Sequence, residues 1–279
     1  MMLKKLYPFL ILQLLTTTTC LPLFATISPK VPQDPHQFSL GLEFFHYKYR
    51  EPGLMEYKGV LYGANAAYNY TFSDNFFLQP DLRVSYGRPH YKSNETGSHK
   101  SIPSWLFETR FIFGKRFELA STTELDPYLG LGYRYKTDNS DGKKTTTGHL
   151  GYRRKSHYLY LPLGVTLHQQ INCDWSFSPT AEFDWFLYGW QQSYLTTPTK
   201  KINNTQKRGY GLKGDLMLTK KFAKSSLSFG PFINYWNIRD SKSVNFVATN
   251  GVGEIVGRGK VIEPHNKTIE AGIKLIYTF

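Results

Sequence analysis

From Phe38 to the last residue the chain keeps returning to one pattern, with apolar residues alternating with polar or small ones at a period of two. Successive side chains of a strand point to opposite faces, so this pattern predicts sheet with one apolar and one polar face. Phe38, Leu40, Leu42 and Phe44 alternate with Ser39, Gly41, Glu43 and Phe45. Trp175, Phe177, Ala181, Phe183, Trp185 and Leu187 alternate with Ser176, Ser178, Thr180, Glu182 and Asp184. Ile269, Ala271, Ile273, Leu275, Tyr277 and Phe279 alternate with Glu270, Gly272, Lys274, Ile276 and Thr278. Ten such stretches predict strands near 37–50, 57–72, 76–88, 102–118, 125–137, 156–170, 174–190, 208–220, 226–239 and 266–279.

Alternation alone also suits an antiparallel sandwich with one wet face. Two features point elsewhere. Charged residues recur in the middle of the stretches, which suits a barrel wall with an apolar outer face against lipid and a polar inner one. The connections also alternate in length. Those near 73–75, 119–124, 170–174 and 220–225 are short. Those near 51–56, 88–101, 137–156, 190–208 and 239–264 are mostly long and rich in Gly, Ser, Thr, Asn, Lys and Arg. Short turns on one side and long loops on the other are the asymmetry of bacterial barrels, with the periplasm at the short side. Closure follows from the solvent, because hydrocarbon cannot satisfy the free backbone groups of a sheet edge. The expected fold is therefore all-β, a single antiparallel transmembrane β-barrel of about ten strands.

The front of the chain fits an exported protein. Lys4 and Lys5 precede a short apolar core and Ala25 offers a cleavage point, so residues 1–25 read as a signal peptide. Residues 26–36 then form a short periplasmic segment, and 37–279 the barrel. Thr17, Thr18 and Thr19 before Cys20 do not make a lipobox. Cleavage lowers the formal charge from +13 to +11, since Lys4 and Lys5 leave and no acidic residue does. It also leaves Cys173 as the one cysteine, which excludes an internal disulfide. Among 20 Tyr, 20 Phe and 5 Trp, residues such as Trp105, Tyr133, Tyr135, Trp175 and Tyr277 fall at stretch ends, where an interfacial girdle belongs.

The terminal "AGIKLIYTF" resembles the signal by which the outer-membrane assembly machinery recognises barrel proteins, with Tyr277 and Phe279 as its aromatic positions. That resemblance marks the Gram-negative outer-membrane barrel class and implies an outer-membrane location. The ten-strand size resembles the omptin proteases and the Opc-type adhesin. An omptin site would, by that resemblance, want an Asp–Asp pair and an Asp–His pair facing each other near the outer rim. The sequence has no Asp-x-Asp or Asp-x-His on an inner face, and His168 lies near a short turn.

The inner face carries the candidate chemistry. Its carboxylates are Glu43, Asp81, Glu108, Asp126, Glu182, Asp184, Asp215 and Glu270, and its bases Arg83, Arg110, Arg116, Arg134, Lys136, Lys213 and Lys274. A ten-stranded lumen is narrow, so these are expected to pair into a network that fills it. Glu182 and Asp184 stand close enough to form an acid/base pair as an alternative. "DGKKT" lacks the glycine spacing of a phosphate loop and "GVGEIVG" misses the dinucleotide fingerprint. His90, His99, His149 and His157 show no metal-ligand spacing. No cofactor or metal is expected.

The long loops are basic, with His149, Arg153, Arg154, Lys155 and His157 in one, Lys200, Lys201, Lys207 and Arg208 in another, and Lys242, Arg258 and Lys260 in a third. Arg153, Arg154, Lys155, Lys200, Lys201, Lys207 and Arg208 form the candidate polyanion-binding set, facing the phosphate-rich lipopolysaccharide of the outer surface. The expected function is structural or surface interaction. A narrow porin-like channel and a membrane-embedded hydrolase are the alternatives. Expected partners are outer-membrane lipid, lipopolysaccharide and the barrel assembly machinery, without nucleic acid, and the expected state is a monomer.

Overall fold

The computed structural model describes residues 34–195, 201–249, 252 and 254–279. The expected signal peptide and Lys200 lie outside the described residues. Ten long strands form the wall: β1 His36–Glu51, β2 Met55–Thr71, β3 Phe76–Gly87, β4 Ser104–Lys115, β5 Thr123–Asn139, β6 Arg153–Gln170, β7 Trp175–Tyr194, β8 Gly209–Lys221, β9 Ser226–Ile238 and β10 Asn266–Thr278. Each pairs antiparallel with its sequence neighbours, and β1 pairs with both β2 and β10. The β1–β10 seam runs from Ser39↔Thr278 to Arg50↔Lys267, so the sheet closes on itself. The ten expected strands are the ten observed ones.

Closure lets the period-two pattern show as inside and outside. Along β1, Leu42 is 64% and Phe44 56% exposed, whereas Glu43 is 4% and Phe45 0% exposed. On β10, Ile273 and Leu275 face out and Glu270 is fully buried. A soluble protein would leave such a continuous apolar outer surface wet, whereas hydrocarbon makes it the favourable arrangement. Contacting aromatics mark both ends of the belt. Tyr62, Tyr86 and Trp105 run across β2–β4 towards the long loops, with centroids 6.0 and 4.6 Å apart. Phe76 lies on Phe113, and Phe38 on Phe279, at the opposite end.

The structure changes several expectations. The β1–β2 connection is only the three residues 52–54, because β1 and β2 pair out to Glu51↔Met55. Three long loops carry strand pairing of their own. Residues 90–93 pair with β2, 202–206 with β7, and 244–249 with 255–261. Strand β6 begins at Arg153 rather than near 156, so Arg153, Arg154 and Lys155 belong to the wall and not to a free loop. In β7 the register shifts between Phe186 and Tyr188. Leu187 is the extra residue, and beyond it the inner positions become Gly189 and Gln191 instead of even-numbered ones. A strict two-residue count cannot see that change.

Candidate functional site: the charged lumen and the cationic rim

The inward side chains meet in one network at mid-barrel. The Arg83 guanidinium donates to Glu43 at 2.7 Å and to Glu270 at 2.8 Å, with Glu108 at 3.4 Å. Arg134 shares Glu270 and Glu108 with it. Lys213 reaches Glu108 at 2.9 Å and Glu182 at 3.1 Å, and Arg110 joins Glu182 to Asp81 at 2.8 Å each. Seven strands contribute to this cluster, so it staples the wall across the bore. Lys213 Nζ also lies 3.3 Å from Asp184 Oδ2. That contact is an ion pair without hydrogen-bond alignment, and neither Asp184 oxygen has a hydrogen-bond partner.

Aromatic rings fill the remaining space. Tyr160 donates to Glu108, Tyr128 to Glu182 at 2.7 Å, and Arg83 lies over the Phe45 ring at 4.9 Å. Trp236, Tyr47, Tyr160 and Phe45 are among the fully buried side chains. Two inner-face glycines make this filling possible. A Cβ on Gly132 would sit 2.2 Å from the Tyr160 ring, and one on Gly164 2.3 Å from Tyr128. Phe232 and Trp236 escaped the sequence reading, although the parity of Asn234 on β9 places both inside. An enclosed cavity of about 10 Å³ lined by Arg134, Lys136, Asp138 and Tyr158 has room for about one water. The lumen is a paired, packed plug.

Towards the short turns, Lys274 meets Asp215 at 2.6 Å and Arg116 grips Asp126 at 2.7 Å. His168 bridges this pair to β7, with Nε2 3.2 Å from Asp126 and Nδ1 3.0 Å from Ser178 Oγ. These are the residue types of a nucleophilic triad. The carboxylate, however, is already held by the Arg116 guanidinium through several contacts, and His168 continues a hydrogen-bond chain from it to Ser178. The sequence search for Asp-x-His along one strand could not find it, because Asp126 and His168 come from adjacent strands.

At the outer end Arg154 departs from its expected role. It is 6% exposed and lies inside the bore, donating to Glu51 at 2.7 Å and to Glu263. The cause is parity, since Tyr158 and Tyr160, four and six residues along, share its inward face. Tyr49 OH donates to Glu51 at 2.8 Å, with Glu263 as an alternative acceptor at 3.2 Å. Glu51, Asp138, Arg154 and Glu263 therefore extend the lumen network, and strand extension beyond the expected bounds brings in the first three. Glu263 belongs to the connection from β9 to β10, which folds back over the rim. Its backbone N–H donates to Ser241 Oγ at 2.8 Å, and Ser241 N–H to Glu263 O at 2.9 Å. Burial, with Glu51 adding to it, pushes the Glu263 carboxyl up to about 7 against the pull of Arg154.

Arg153 and Lys155 point outward on the wall, and Lys201, Lys207 and Arg208 are exposed. Among the described residues none of these five has a carboxylate within ion-pair distance. Three of them gather on one ring: Arg153, Lys155 and Lys201 lie 4.5, 5.3 and 5.5 Å from the centre of Tyr194. Phe279 and Tyr277 close the seam at the far end. Phe279 N–H donates to Phe38 O at 2.9 Å and its ring meets Tyr277 at 4.9 Å. No group of metal-ligating side chains occurs among the described residues.

No family model matches the chain, and no curated protein does. Among solved structures, the outer membrane protease OmpT from Escherichia coli is similar at a TM-score of 0.59 and 11% identity, over 88% of this chain and 97% of that one. The translocator domain of autotransporter NalP from Neisseria meningitidis aligns at 0.41 and 10% identity, over 87% and 88% of the two chains. Ail, the attachment invasion locus protein of Yersinia pestis, aligns at 0.33 and 12% identity, over 88% and 100%. OmpT shows a shared fold, and the other two overlap too loosely to carry an argument. With its apolar belt and closed antiparallel wall, the chain is an outer-membrane β-barrel.

Proposed function

We propose that this barrel is a surface-interaction protein whose lumen is sealed and whose outward cations contact lipopolysaccharide or another external polyanion. One contrast carries the reading. The cations inside the bore meet carboxylates, whereas Arg153, Lys155, Lys201, Lys207 and Arg208 outside it do not. Buried charge must be paired to be tolerated, while exposed charge is free to attract a ligand. The packed lumen speaks against the channel reading, and the commitment of Asp126 to Arg116 speaks against the hydrolase one. The same reading gives Tyr277 and Phe279 a second role, as the aromatic positions the assembly machinery recognises.

Binding of the folded barrel to heparin in detergent tests the proposal. Exposed charges are screened beyond about 8–10 Å at ordinary ionic strength. Affinity should fall steadily as salt rises, and Lys207→Gln/Arg208→Gln should lower it further at low salt. Affinity that ignores both salt and the double substitution would remove the polyanion role.

A further inference from the structure

We infer that the outer wall of β5–β7 at the rim is a binding site for the phosphorylated headgroup of an outer-leaflet lipid, a reading that rests on the surface role proposed above and narrows its ligand. Strand register builds the site. Tyr194 stands opposite Arg153, Gln192 opposite Lys155 and Trp190 opposite His157, all on the outward face of β6 and β7. Lys201 approaches the same Tyr194 ring from the following segment. Three like charges around one ring repel one another, by up to about 1 kcal/mol per close pair in watery surroundings. The ring's quadrupole returns only part of that. No described carboxylate offsets the rest, and the Arg153 Nε is buried without a hydrogen-bond partner. An anion placed among the three would relieve both deficits.

The layer below identifies the kind of anion. His157 stacks flat on Trp190, with centroids 4.5 Å apart and planes 8° apart, and its Nδ1 lies 2.7 Å from Tyr133 OH. Below that the outward positions of β6 are Leu159, Leu161 and Leu163, beginning roughly 13 Å along the strand from Lys155. Cations, then polar aromatics, then aliphatic wall is the vertical profile of a phosphorylated lipid, whose phosphate, glycosidic headgroup and acyl chains would meet them in turn. A soluble polyanion would use only the uppermost layer. This vertical order on a single wall favours the lipid.

The test uses the full chain, refolded and embedded in phosphatidylcholine nanodiscs. Its probes are a bis-phosphorylated glucosamine lipid, the dephosphorylated form of that lipid, inorganic phosphate and heparin. The parent should prefer the phosphorylated lipid to both the dephosphorylated form and inorganic phosphate. Arg153→Gln/Lys155→Gln should weaken the phosphorylated lipid by roughly tenfold or more, while leaving most of the heparin affinity that Lys207 and Arg208 carry. Lys155→Gln alone serves if the double variant does not fold. Equal affinity of the parent for the two lipids would overturn the inference. So would unchanged lipid binding by the variant, or loss of heparin to the same degree as lipid. The broader surface role fails separately, if the parent binds heparin without salt dependence whatever the lipid result.

Discussion

Arg153 and Arg154 are neighbours in sequence and stand on opposite sides of one strand. Arg154 points into the bore, where Glu51 and Glu263 hold its guanidinium. Arg153 points away from it, over the ring of Tyr194 and without a carboxylate among the described residues. The two side chains are chemically identical, so the difference lies wholly in the face that the strand assigns them. Inside, a charge is one member of a fold-holding network. Outside, the same charge is available to a ligand. Composition and local charge density cannot separate these cases, and strand register does.

The largest effect should come from breaking the inside set. Glu270 is fully buried and receives Arg83, Arg134 and Asn234. Glu270→Ala leaves two buried guanidinium groups short of counter-charge, and loss of one partner from such a set costs about 3–5 kcal/mol. Urea titration of the refolded barrel in lipid vesicles should show that loss. A substitution neutral within about 0.5 kcal/mol would mean that the lumen is wet and the charges solvated.

A second effect follows from Glu263. Its carboxyl ionises at about 7 in the closed structure, above the ordinary 4.5. The closed form therefore holds the proton more tightly than the open one. Closure of the β9–β10 connection is at full strength below about pH 4.5 and weakens as pH rises towards 7, by on the order of 3 kcal/mol at most. Amide exchange over 241–263 should be slower at pH 5 than at pH 8. Glu263→Gln should flatten that dependence, and a parent whose exchange, corrected for its intrinsic pH dependence, is the same at both values would refute it.

A smaller effect belongs to the seam. Phe279→Ala removes the ring contacts to Phe38 and Tyr277, while its backbone bond to Phe38 stays. The loss should be about 1 kcal/mol in the same urea titration, and a cost above about 3 kcal/mol would mean that the seam depends on that ring. Surface levels in cells should fall by more than such a cost explains if the assembly role holds.

Much of this was legible in the sequence, and for one reason. A barrel wall separates lipid from lumen at every residue, so alternation reports the face directly, and ten strands with their inner charges could be read from it. What stayed hidden depends on events the alternation does not encode. The bulge at Leu187 resets parity within a strand. Strand ends run past the stretches of clear alternation and carry Arg154 into the bore. Asp126 and His168 meet only across a ladder. Phe232 and Trp236 were present in the pattern but obscured because an inner face was expected to be polar.

The most direct measurement compares Arg153→Ser with Arg154→Ser in the same membrane, following urea unfolding and binding of the phosphorylated lipid for each. Arg154→Ser should destabilise the barrel by several kcal/mol, since it strands Glu51 and Glu263, while the folded fraction keeps parental affinity. Arg153→Ser should leave unfolding within about 0.5 kcal/mol of the parent and weaken lipid binding severalfold. If the two substitutions behave alike in both measurements, the face of the strand does not decide what its charges do, and the account fails.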